Sequence, residues 1–173
     1  MISFCNYSLV PASFNPWRAV FLDVAEAVMT ELADERFDFL HFGSSSFKVA
    51  GKGIIDISIL YQAGHLQDAV AYLKNFGFVD QHSEKPFPDT RPRKDIAVLY
   101  NNEVFNVHMH VIEKDSEEHK KQVTYKEHML NNPNDRAAYE AQKRKVLADG
   151  ITVQDDYGKA KSPFVKSILS QLS

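Results

Sequence analysis

The stretch from His41 to Ser58, His-Phe-Gly-Ser-Ser-Ser-Phe-Lys-Val-Ala-Gly-Lys-Gly-Ile-Ile-Asp-Ile-Ser, constrains this chain more than any other. It reads as a buried strand, a turn of small residues, and a second strand that opens on one carboxylate. Glycine lets a backbone come close to a phosphate, and serine hydroxyls and free N–H groups can hold its oxygens. In Ile54-Ile55-Asp56-Ile57-Ser58-Ile59 the polar residues alternate with apolar ones, so Asp56 and Ser58 share one face of their strand. The chain is therefore expected to build a sheet with a phosphate cradle beside a strand-borne carboxylate.

The rest of the sequence fits one α+β domain spanning residues 1–173, a mixed sheet covered by helices. Residues 1–115 hold the strands, and residues 116–173 form a helical C-terminal part. Chain length allows a sizeable core without staples. A net charge of −3 argues against a general nucleic-acid or membrane-surface binder. The single cysteine, Cys5, excludes an internal disulfide framework and suits a reducing compartment. No segment approaches the roughly 18 apolar residues of a membrane span. Arg18 is the first basic residue, so no signal peptide is read and the expected location is the cytoplasm.

A helical pattern follows Pro16-Trp17 and runs to about Asp34, with Val20, Val24, Ala27, Val28 and Leu32 on one stripe. Strands are predicted over Phe37–Gly43 and Ile54–Tyr61, a short helix over His65–Asn75, and a brief strand at Phe78-Val79. The proline-rich stretch from Asp80 to Lys94 reads as a long loop. Asp95–Tyr100 and Val104–Ile112 form a hairpin across Asn101-Asn102. Asp115-Ser116-Glu117-Glu118 caps a helix that runs to about Leu130. Asn131-Asn132-Pro133-Asn134 breaks it, Asp135–Ala148 is helical again, and a last helix spans about Lys159 to Leu172.

Three groups of residues could support chemistry. The first is the Gly43-Ser44-Ser45 turn, with Asp56 following on the next strand; Asp56 could also be a plain strand-end anchor. In the second, strand alternation puts Asn106, His108 and His110 on one face, where the histidines could bind a metal, shuttle protons or contact phosphate. A solvated sheet face is the bland alternative. The third group is basic: Arg91, Arg93 and Lys94 on the long loop, then Lys126, Lys143, Lys159 and Lys161 on the late helices. Arginine suits bidentate phosphate contacts and lysine supplies a point charge.

Ordered motifs along nearly the whole chain resemble those of the GrpB family, within the nucleotidyltransferase superfamily typified by polymerase β. His41-Phe42-Gly43-Ser44-Ser45-Ser46 is similar to a His-Ile-Gly-Ser-Thr-Ser/Ala pattern, and Lys52-Gly53-Ile54-Ile55-Asp56-Ile57 to Lys-Pro-Ile-Ile-Asp-Ile. His108-Met109-His110-Val111 resembles His-Leu-His-Val, and Tyr125-Lys126-Glu127-His128-Met129 stands where Phe-Arg-Asp-Tyr-Leu is expected. Pro133, Tyr139 and Lys143 fall in place, and Tyr157 to Phe164 resembles the Tyr-x-x-Ala-Lys-x-x-Phe ending. The chain departs at Phe47-Lys48-Val49, where Val-Pro-Gly is usual, at Gly53 for proline, and in a turn-to-Asp56 spacing shorter by one.

The resemblance implies a nucleotidyltransferase fold that binds ATP or another nucleoside triphosphate with Mg²⁺ and possible transfer to a small acceptor. Gly43, Ser44 and Ser45 would hold phosphate, with Lys52, Arg91, Arg93 and Lys161 neutralising it. Asp56 would ligate Mg²⁺, with Ser58 in the place of the usual second carboxylate. His108 and His110 would act as base or ligand where a further carboxylate normally lies. Two other functions stay open. One is a non-catalytic nucleotide- or coenzyme A-binding module on the same fold, which the missing carboxylate favours. The other is a hydrolase, because Asn106-Val-His108-Met-His110-Val is similar to the histidine-triad motif with its first histidine replaced.

Overall fold

A computed structural model describes residues 2–9, 14–148, 166–170 and 172. Among them the element order is β1 (Ile2–Cys5), α1 (Val20–Glu31), β2 (Phe37–Phe42), β3 (Ile55–Tyr61), α2 (Leu66–Asn75), β4 (Val79–Asp80), β5 (Arg93–Tyr100), β6 (Glu103–Glu113), α3 (Glu117–Asn131) and α4 (Pro133–Ala148). The strands form one mixed sheet in the order β1-β5-β6-β3-β2, with β4 also on β5. β3 and β6 run parallel and the remaining pairs antiparallel. The parallel pair needs a crossover connection, which α2 supplies. The predicted α+β architecture is the one observed.

Strand alternation divides the sheet into two unlike faces. Ile55, Ile57 and Ile59 of β3 and Val107, Met109 and Val111 of β6 are fully buried on one face. There they meet Phe21, Val24, Ala25 and Val28 of α1 and Ala69 and Leu73 of α2. Each such aliphatic side chain contributes about 1.5 to 3 kcal/mol when buried. Val24, Val28 and Leu32 of the predicted α1 stripe are buried as read, while Phe21 and Ala25 join the core and Val20 and Ala27 are only half-buried. Phenylalanine offers far more apolar surface than alanine and sets the helix rotation.

The other face bears Asp56, Ser58, His108, His110, Arg93 and Asp95, and α3 lies across part of it from β2 to β6. Ser116 caps α3 by accepting a hydrogen bond from the His119 N–H. Only Asn132 separates α3 from α4, because Pro133 opens the second helix at a position that needs no N–H donor. The hairpin turn forms as read, with Asn101 and Asn102 at φ 48° and 65°.

Several boundaries differ from the sequence reading. β1 is an addition to the predicted strands; it pairs with β5 at the sheet edge, four residues whose short run gives little periodic signal. The long loop is shorter at both ends, since Asp80 and Lys94 pair in strands β4 and β5. The final helix predicted from Lys159 falls largely outside the described residues, of which 166–170 are helical.

A second, smaller core joins the turn after β2 to the late helices. Phe47, Val49, Met129 and Tyr139 are buried together, with Tyr125 packed against them. The Tyr125 hydroxyl is buried there with no hydrogen-bond partner among the described residues. Such an atom forfeits its hydration without return. Tyr125→Phe is therefore expected to stabilise the protein by about 1 kcal/mol in urea denaturation. A loss of stability instead would show that the hydroxyl has a partner in solution.

Candidate functional site

The site is assembled where three strands line up. Phe42 pairs with Asp56, Asp56 with His108, Ser58 with His110, and Asp95 with His108 in turn. The small-residue turn leaves β2 at this level. Gly43 has φ +74°, and a Cβ there would stand 2.9 Å from the Asp56 Oδ2. No other residue type fits that close approach in that conformation. The turn is held from within: Ser46 N–H and its hydroxyl both donate to the Gly43 carbonyl, at 2.9 and 2.7 Å. Ser45 shares a 2.8 Å hydrogen bond with His41 Nε2, and its carbonyl accepts from the Trp17 indole. Ser45 is thus buried in the scaffold, while Gly43 and Ser44 line the cavity.

Asp56 accepts a hydrogen bond from His110 Nε2 at 3.2 Å, and His108 Nδ1 lies 3.9 Å from the same oxygen. Burial opposes its ionisation, but the His110 hydrogen bond and the charges of His110, His108 and Lys52 prevail and hold the carboxyl below its ordinary range. His110 is fixed edge-on between Phe42 and Phe87, with ring centroids 4.9 and 5.2 Å away. His108 is buried and shares a 2.8 Å hydrogen bond with the Tyr7 hydroxyl. Burial, with Arg93 nearby, pushes His108 well below the usual histidine value.

Ser58 is fully buried and donates its hydroxyl to Gln122 Oε1 of α3 at 2.6 Å. Arg93 forks onto both oxygens of Asp95, at 2.8 and 3.0 Å. Asp95 is fully buried, and burial raises its pKa despite that arginine.

Gly43, Ser44, Asp56, Arg93, His108, His110 and Gln122 line a cavity of about 660 Å³. Lys52 follows the turn, Lys85, Arg91 and Arg93 come from the β4–β5 segment, and Lys121, Lys143 and Lys166 come from the helical part. Among the described residues only Asp56 and Glu118 oppose them on the cavity wall. Arg91 leans on the Phe87 ring and on Glu118. Lys143 is 1% exposed, donates to the Ala50 carbonyl at 3.2 Å, and lies over the Tyr139 ring. Lys143 Nζ and Ser44 Oγ both abut Gly51, where a Cβ would stand 2.8 and 3.2 Å from them.

The sequence model of the GrpB protein family matches residues 8–171. The chain belongs to the GrpB family. A search of proteins with curated function finds no match to it. Solved structures do match this GrpB chain, among them a cytoplasmic RNA terminal U-transferase, at TM-score 0.50 and 11% identity over 84% of this chain and 47% of that one. Another is the Cid1 poly(U) polymerase with Mg and 3′-dATP bound, at TM-score 0.51 and 12% identity over 84% and 49%. The GrpB chain spans about half the length of these structures. Its fold is therefore a nucleotidyltransferase fold.

Of the residues singled out in the sequence, the GrpB fold brings Gly43, Ser44, Lys52, Asp56, Arg91, Arg93, His108 and His110 to one cavity. Ser45 and Ser58 are turned into the scaffold, and Lys161 lies outside the described residues. Lys126, on the late helices, donates to the His41 carbonyl at 2.7 Å. Asp95, Tyr7 and Gln122 are site residues that the sequence reading passes over. The alternation that marks His108 and His110 also puts Arg93 with Asp95 on one face, so a signal for Asp95 exists. Tyr7 and Gln122 have none, because only the tertiary structure brings them to His108 and Ser58.

Proposed function

We propose that this chain binds a nucleoside triphosphate in the cavity, with the phosphates over the Gly43–Ser44 turn, and that its nucleotidyl transfer is weak. The observation behind this reading is the contact of the turn with a strand carboxylate, a glycine at positive φ set directly against Asp56. Ser44, Lys52 and Lys143 line the same cavity as that turn.

The Mg²⁺ expected for the superfamily meets an unsuitable donor set. Asp56 is engaged by His110, Ser58 by Gln122, and Asp95 by Arg93. Among the described residues no three His, Cys, Asp or Glu side chains are grouped to hold a metal ion. Magnesium demands near-octahedral oxygen ligands, commonly one or two carboxylates plus substrate phosphates. Among the described residues Asp56 is the single carboxylate set against the turn. The Ser58–Gln122 bond favours a second reading, a binding module without turnover.

Thermal unfolding with each nucleoside triphosphate and with coenzyme A precursors tests the binding. At about a hundred times Kd a ligand stabilises by about 2.7 kcal/mol, which for a chain of this size raises Tm by roughly 5 to 10 °C. Gly43→Ala should abolish the shift while far-UV circular dichroism still reports a folded protein. If no nucleotide moves Tm in the wild type, the reading is wrong. Pyrophosphate release by pure protein would exclude the module without turnover.

A further inference from the structure

Building on the nucleotide reading, we propose that this site takes its polyphosphate free of metal, with lysines supplying the positive charge. Two independent features of the cavity lead there. The first is the commitment of the oxygen donors. A cation on Asp56 Oδ1 competes with the His110 N–H, which stands 3.2 Å away with its ring clamped by Phe42 and Phe87, while Oδ2 faces the Gly43 turn. The position of the usual second carboxylate is closed by α3 itself, through Gln122 on Ser58.

The second feature is charge. The chain is acidic, at −3, yet among the described residues the cavity wall carries Lys52, Lys85, Lys121, Lys143 and Lys166 against two carboxylates. Glu118 already faces Arg91 at 3.5 Å. Fields inside a cleft with low-dielectric walls are focused, so this excess of one sign selects for a highly charged anion. Lys143 shows the design most plainly. Sequestering an ammonium behind the turn, 1% exposed, costs several kcal/mol of desolvation. Its Nζ sits with Ser44 Oγ against Gly51. A magnesium ion on the polyphosphate would withdraw both charge and oxygen lone pairs from these lysines, so metal and protein compete for the same atoms.

Isothermal titration of ATP and of inorganic tripolyphosphate, each in EDTA and in excess Mg²⁺, decides the matter. The expected result is binding in EDTA that is threefold or more tighter than in Mg²⁺, and weaker at high salt. Asp56→Asn should tighten the EDTA affinity, since it removes a like charge from the site, and Lys143→Met should weaken it at least tenfold. His110→Asp, which puts a second carboxylate beside Asp56, should shift the preference toward the Mg²⁺ complex. Binding that requires Mg²⁺ and is lost in Asp56→Asn overturns this inference and leaves the nucleotide reading standing. Tripolyphosphate binding in EDTA without ATP binding upholds the metal-free anion and overturns the nucleotide. No binding of either probe overturns both.

Discussion

Replacing Arg93 with alanine is expected to destabilise the protein by about 3 to 5 kcal/mol at neutral pH. Asp95 is fully buried, and the guanidinium of Arg93 holds both of its oxygens, while His108 Nε2 is the next group at 4.0 Å. Removing the arginine strands a carboxylate between β6 and the sheet edge. The whole pair is a different matter, because an apolar pair of similar volume avoids desolvating both charges. Arg93→Met with Asp95→Leu should therefore fold more stably than Arg93→Ala alone. The pH dependence of the single variant has a definite sign. Burial raises the folded pKa of Asp95 above its unfolded value, so its contribution is most favourable in acid and is lost as pH rises. The deficit of Arg93→Ala should shrink on acidification. Urea denaturation at pH 7.5 and 5 measures both quantities, and a neutral-pH loss under 1 kcal/mol would show that Asp95 is served by other groups.

The wild-type protein should respond to acid in the opposite sense. Burial, with Lys126 nearby, pushes His41 down to about 4 from an ordinary value of 6.5. A histidine whose folded pKa is depressed binds its proton more readily when unfolded. Its stabilising neutrality is complete above pH 6.5 and is lost as pH falls toward 4, a cost of about 3 kcal/mol for His41. His108 is displaced in the same direction by burial and Arg93 and adds to the loss. Asp56, held low, adds its own loss once pH falls below the ordinary carboxylate range. Asp95 works against the trend, but one raised carboxylate offsets only part of two buried histidines. Urea midpoints from pH 8 to 4 should fall, and His41→Gln should flatten the profile by about 3 kcal/mol. A wild-type profile flat across that window would show that His41 is hydrated in solution.

Both effects centre on strands whose polar face is legible in the order of residues. Strand alternation is a local rule with period two. It puts Asp56 with Ser58, and His108 with His110, on common faces whatever the strands pair with. The Asn-Asn hairpin and the Ser116 cap are legible for the same reason, since φ preference and a side-chain oxygen act within a few residues. The α1 stripe is legible at Val24, Val28 and Leu32 but misses Phe21, because a stripe argument ranks residues by polarity and overlooks size.

Residue order thus dictates the elements other than β1, the family, and the face on which the polar residues stand. Which of those residues remain available is settled by tertiary structure. Ser58 reads as a weak metal ligand, yet Gln122, from a helix sixty-four residues away, takes its hydroxyl. Ser45 reads as a phosphate donor, yet His41 and Trp17 turn it inward. Arg93 reads as a loop cation, yet it lies in β5 and is held by Asp95. Hydrogen-bond partners and burial are set by distance in space, and chain position constrains that distance only within a turn, a helical repeat or a strand pair. A buried polar group must find a partner wherever the fold supplies one.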